Sequence, residues 1–153
     1  MKKILLATLI ATVFGASTSA IAAGTQTMPV TATVVPKCSF TASTTMDFGT
    51  IDPSIVAVNV TSTGGTLSYR CTNKTTPTSI AVTADANGTA AAPLLKSGTD
   101  TLAFSVVVPA LTAGTGFGGA AQTVTIAGTI SLANAQAAAA GTYTDTLTFT
   151  IAP

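Results

Sequence analysis

The chain has 153 residues, 47% of them hydrophobic and only 7% charged, with a formal net charge of +1, which suits a single domain with room for a core. So little charge excludes an electrostatic nucleic-acid binder. His, Glu and Trp are absent, and the acids are Asp47, Asp52, Asp85, Asp100 and Asp145, so imidazole bases and Glu pairs are missing and neither an enzyme nor a catalytic residue is expected.

At the N-terminus, Lys2 and Lys3 precede an apolar run from Ile4 to Phe14, and "STSAIAA" supplies small residues for a signal peptidase. Residues 1–22 are expected to be a secretory signal with cleavage after Ala22, too short and too Ala/Ser-rich to span a bilayer. Beyond them, Lys37, Arg70, Lys74 and Lys96 stand against five Asp, four against five, for a net charge of −1. An exported, nearly neutral protein has no electrostatic handle on DNA or an anionic membrane, and no stable membrane insertion is expected.

Residues 23–35 follow, and within "TMPVTATVV" Met28, Val30, Ala32 and Val34 form an apolar row while Pro29, Thr31 and Thr33 face the other way. Period-two alternation predicts a strand over Met28 to Val35. Pro29 removes one ladder donor, which places the segment at an edge or start rather than at the centre of a sheet. It reads as a detachable arm, although an alternating first strand of the chain's own sheet, or an arm folded back on its own domain, fits the same pattern.

Cys38 and Cys71 are the two cysteines. In an oxidising compartment such a pair is expected to form a structural disulfide linking an early strand to a middle one. Two thiolates without His leave a tetrahedral zinc site half empty, so no metal is expected.

The remaining text alternates in short Thr- and Val-rich runs, predicting strands at Ile55 to Val60, Thr66 to Cys71, Ser79 to Ala84, Leu102 to Val108, Thr123 to Ile130 and Thr142 to Ile151. Turn residues separate them: Asp52-Pro53, Gly64-Gly65, Asn73 to Pro77, Asn87-Gly88, Gly98 and Gly114 to Gly119. The Ala-rich segment Ala133 to Gly141 is able to nucleate a helical turn, but its position just before the last strand favours a connecting loop. In the last run Tyr143, Asp145, Leu147, Phe149 and Ile151 alternate with five threonines. With no turn and return strand after it in this sequence, an open edge beside this run is expected. Tyr143 and Asp145 are either a hydrogen-bonded pair or an exposed Tyr beside a solvated Asp. The pattern as a whole predicts an all-β sandwich or barrel.

Taken together, "VTATVVPKCSF", "MDFGTI", "GTLSYRC" and "GTYTDTLTFTI" resemble the spore coat protein U domain, which is shared with the major subunits of archaic chaperone–usher pili. The resemblance covers nearly the whole chain after the signal. It implies an incomplete immunoglobulin-like β-sandwich, residues 36–153, that lacks its last strand and is completed by donor-strand exchange. It further implies a hydrophobic acceptor groove beside the strand bearing Tyr143, Leu147, Phe149 and Ile151. A periplasmic pilus chaperone would fill this groove first, and the arm of the next identical subunit would replace it at an outer-membrane usher, with Met28, Val30, Ala32 and Val34 as donor residues. The expected product is a homopolymer on the cell surface, without cofactor, that supports adhesion and biofilm formation. A secreted spore-coat or matrix protein that does not polymerise through an usher is the alternative. A carbohydrate-binding module is weaker, because aromatics make up only 5% of the chain.

Overall fold

The computed structural model describes residues 24–153; the expected signal peptide lies outside the described residues. The chain divides into two units, Met1–Thr33 and Val34–Pro153. In the first, residues 24–33 carry no helix or strand and are exposed, Met28 at 85% and Val30 at 87%. The strand expected over Met28 to Val35 is therefore not formed. Alternation alone cannot hold a strand that has no ladder partner.

The second unit is an all-β, immunoglobulin-like sandwich of short antiparallel strands. In chain order they are β1 (Cys38–Ser43), β2 (Met46–Asp47), β3 (Val60–Thr61), β4 (Thr63–Gly64), β5 (Thr66–Cys71), β6 (Ser79–Asp85), β7 (Leu94–Ser97), β8 (Asp100–Ala103), β9 (Ser105–Val107), β10 (Gln122–Thr125), β11 (Ala127–Ile130), the helix α1 (Leu132–Ala137) and β12 (Leu147–Ala152). Two three-stranded sheets run in the orders β1-β5-β10 and β3-β11-β9, and β12 pairs with β6. Two small ladders, β2-β4 and β7-β8, complete the set.

β5 is the clearest product of its sequence. Leu67, Tyr69 and Cys71 are buried while Thr66, Ser68 and Arg70 are half-buried on the other face, the alternation of a strand with one face on the core. Opposite it, Cys38 stands in register with Cys71, and the two form a disulfide. Bulges at Thr41 in β1 and at Thr83 in β6 shift the registers of these ladders and twist both strands.

Two expected strands are each split between sheets. Thr123 to Ile130 breaks at Ile126, whose N–H donates to the Gly65 carbonyl at 2.7 Å. β10 thus joins one sheet and β11 the other. Leu102 to Val108 breaks likewise at Phe104, whose N–H donates to Pro93 O at 3.2 Å. Strands that change sheets at a bend make the corners of a sandwich. The inward parity survives both corners, so Val124, Ile126 and Ile130, and Leu102 and Phe104, are all buried.

Other expectations fail for local reasons. Ile55 to Val60 is mostly irregular, and only Val60 reaches a ladder. The Asp52 carbonyl accepts from Ile55 and Val56, and its carboxylate accepts from the Ser54 N–H at 2.9 Å and hydroxyl at 2.6 Å, so side-chain bonding outcompetes the strand. The Ala-rich segment is not simply a loop: Ser131 caps α1 by accepting from the Asn134 N–H, and Ala135 is fully buried. The last strand begins at Leu147, not Thr142. Ahead of it Thr144 makes an isolated two-bond bridge with Lys96, at 3.0 and 3.1 Å.

Candidate functional site

β1 and β12 each have a ladder partner on one side only among the described residues. Between their free edges lies a groove of about 720 Å³. β1 and the turn after it contribute Phe40 and Thr41 to Thr45, β12 and its lead-in contribute Asp145 to Phe149, and Leu67, Phe104 and Ile126 form the floor. Met46 and Phe48 flank it, and Phe48 meets Phe104 edge-to-face at 5.6 Å between ring centroids.

The walls are unfinished. Phe40, Met46, Phe48, Leu147 and Phe149 are all half-buried, although their parity points them at the core. Along β12 the alternation is kept without closure: Leu147, Phe149 and Ile151 are half-buried, and Thr148 and Thr150 are exposed. Five large apolar side chains in this state leave hydrophobic surface that one more strand would cover, at about 25 cal/mol per Å² removed from water.

Of the four acceptor residues expected from the sequence, Leu147 and Phe149 line the groove. Ile151 packs on the cluster around Leu67 and Tyr69. Tyr143 packs on the cluster around Phe104 and Ile130 and donates its hydroxyl to Ala139 O at 3.1 Å. The expected donor residues Met28, Val30, Ala32 and Val34 are exposed. Sequence reasoning missed the opposite wall, Phe40 and Met46, because "CSFTAS" holds one large apolar residue and Met46 stands beyond it in a two-residue strand.

Residues 24–150 match the profile of the Spore Coat Protein U domain. The chain belongs to the spore coat protein U domain family. The domain is associated with chaperone–usher pilus-type surface proteins. None of the curated proteins compared with the chain is similar to it. Among the described residues of this spore coat protein U domain, no helix is long and apolar enough to cross a membrane, and no cluster of three or more His, Cys, Asp or Glu side chains could hold a metal.

One polar feature interrupts the apolar wall. Asp145 and Tyr143 do not bond to each other. Asp145 instead accepts at Oδ1 from Asn87 Nδ2 at 3.0 Å, and the same amide group donates to Thr144 O at 3.0 Å. Its Oδ2 is buried without a hydrogen-bond partner. Burial, reinforced by the neighbouring Asp85 carboxylate, raises the Asp145 pKa above its ordinary value. Burial also pushes Asp85 upward, but the N–H groups of Gly88, Asn87 and Leu94 outweigh it and hold that carboxyl below its ordinary value.

Proposed function

We propose that this protein is a structural subunit of a surface filament, assembled by seating residues 24–35 of one copy in the groove of the next. The observation that carries the reading is the apolar groove between two free strand edges, in a chain that also holds an unpaired alternating segment. A strand laid there would add ladder hydrogen bonds to β1, β12 or both, and would place alternate side chains against Phe40, Leu147 and Phe149. Strand addition of this kind takes its affinity from the backbone and its specificity from side-chain pockets.

The contact joins two different surfaces of identical chains. It does not close on itself, and so propagates. Before assembly the same groove needs a temporary occupant, because an exposed apolar edge invites aggregation. A periplasmic chaperone fills that role, and an outer-membrane usher exchanges it for the next subunit. The filament acts by attachment, in adhesion and biofilm formation, without catalysis.

The test is to append a second copy of residues 24–35 after Pro153 through a flexible linker. At high effective concentration the added strand should convert an aggregating chain into a soluble monomer. A chain without the addition that is equally soluble, monomeric and heat-stable would refute the incomplete fold. The family's association with coat proteins favours a second reading, a secreted matrix protein; neighbouring genes for a chaperone and an usher would exclude it.

A further inference from the structure

Asp145 is the polar residue on the otherwise apolar face of the strand run that forms one groove wall. Its Oδ1 is held by Asn87, while Oδ2 is sealed from solvent with no donor facing it. Its acidic neighbour, Asp85 at the end of β6, already accepts the N–H groups of Asn87, Gly88 and Leu94. Both carboxylates accept from the same residue, Asp85 from the Asn87 N–H and Asp145 from its side-chain amide, and two ionised carboxylates brought together in this way have only acceptors to offer each other. A proton on one of them turns that repulsion into a hydrogen bond.

We infer that Asp145 links occupation of the groove to protonation: when a strand from a second copy covers it, Asp145 takes up and keeps a proton from solvent and donates a hydrogen bond through it to Asp85. The inference rests on the strand-seating reading above. Its physical basis is solvent exclusion, since the groove is open to water along the Asp145 to Phe149 wall. Oδ2 itself is already out of contact with water, so covering the groove acts by removing the surrounding solvent that screens the pair, and the lower local dielectric favours the neutral acid. The direction of the Asp145 shift in the uncovered groove already points the same way. The other groups around the site do not offset it. Asn87 is neutral, Lys96 of β7 meets Thr144 through its backbone, and Thr44 and Thr45 on the facing wall are uncharged.

The sign follows from linkage. A group whose pKa is higher with the strand seated favours seating below its open-groove pKa and loses that contribution as pH rises through its occupied pKa. The background is clean, because the chain has no His and no Glu. The N-terminal amine is the competing group near neutral pH.

The experiment uses filaments of the full mature chain, dissociated at fixed guanidinium concentration from pH 4.5 to 8.5, with released subunits measured against time. Wild-type filaments should dissociate faster as pH rises, by up to about tenfold per pH unit within the linked window. Asp145→Asn should abolish the slope and resist dissociation at pH 8. Asp85→Asn, which removes the facing charge, should flatten it as well and serves if the first variant fails to assemble. A flat wild-type profile overturns the inference alone, as does a slope that persists in both variants. Resistance that increases with pH also overturns it, since the seated strand would then be donating to Oδ2. Absence of wild-type filaments overturns the strand-seating reading and the inference together.

Discussion

The Tyr69 hydroxyl holds both backbone groups of Thr112, donating to its carbonyl at 2.9 Å and accepting from its N–H at 3.0 Å. The ring itself is fully buried on β5. One side chain therefore fastens the long loop after β9 to the middle of a sheet. Tyr69→Phe keeps the packing and removes both bonds, leaving a part-buried N–H and C=O unpaired. It should lower stability by roughly 1–3 kcal/mol. Thermal denaturation of the strand-complemented monomer would read this, and an unchanged midpoint would mean that water replaces the hydroxyl freely.

The disulfide joins directly opposed residues of β1 and β5, 33 positions apart in sequence. A loop of that size corresponds to about 3–4 kcal/mol on the chain-entropy model. Cys71→Ser should accordingly reduce the periplasmic level of the protein sharply. The mature protein, denatured without reductant, should react with no thiol reagent; two titratable thiols would contradict the bridge.

Adjacent substitutions in residues 24–35 should behave oppositely, because side chains alternate with period two. Val30→Asp puts a charge into an apolar groove and should abolish filaments, at a cost of several kcal/mol unless the charge is paired. Thr31→Asp leaves a polar face polar and should assemble nearly as wild type. Ala32→Phe should also block assembly, by overpacking. Electron microscopy of surface filaments, normalised to periplasmic subunit level by immunoblot, would decide. Equal yields from the first two variants at equal subunit level would remove this segment as the seated strand.

Gly114 lies against the disulfide strand so closely that an added Cβ would stand 2.6 Å from the Cys71 carbonyl oxygen and 2.7 Å from its Cβ. The obstacle is largely backbone and cannot swing aside. The loop is also tied there by Lys74 N–H to Gly114 O at 2.8 Å and Gly114 N–H to Thr75 O at 2.9 Å. Gly114→Ala should therefore destabilise by about 1–3 kcal/mol through overpacking. Gly118→Ala, where nothing lies within 4 Å, should be nearly silent in the same melt.

The sequence speaks most clearly where a face is apolar and long. β5, β6 and β12 are legible from period two, although the alternation before Leu147 forms no strand, and the disulfide is legible from the cysteine count and the expected export. What stayed hidden depends on partners distant in the chain. Thr123 to Ile130 reads as one strand because parity is blind to which sheet each half joins, and only the bond from Ile126 to Gly65 reveals the corner. β7 escaped notice because "LLKS" is too short to alternate; it forms only as a hairpin with β8 about Gly98. Half of the groove was foreseeable from Leu147 and Phe149. The wall of Phe40 and Met46, and the convergence of Asp145 and Asp85 on Asn87, required the folded chain.

The placement of the bridge also has a mechanical meaning. Tension drawn between the two ends of the chain meets Cys38 as the first strand residue from the N-terminal side, and there the covalent link carries it directly to Cys71. The segment between them, which includes all of β2, β3 and β4, is bypassed and bears no load. At about 3.3–3.6 Å per extended residue, the 33-residue separation withholds roughly 110–120 Å of length that an unbridged chain would pay out when pulled. The same bond that fixes a register in the resting sandwich would thus set a ceiling on how far it can stretch.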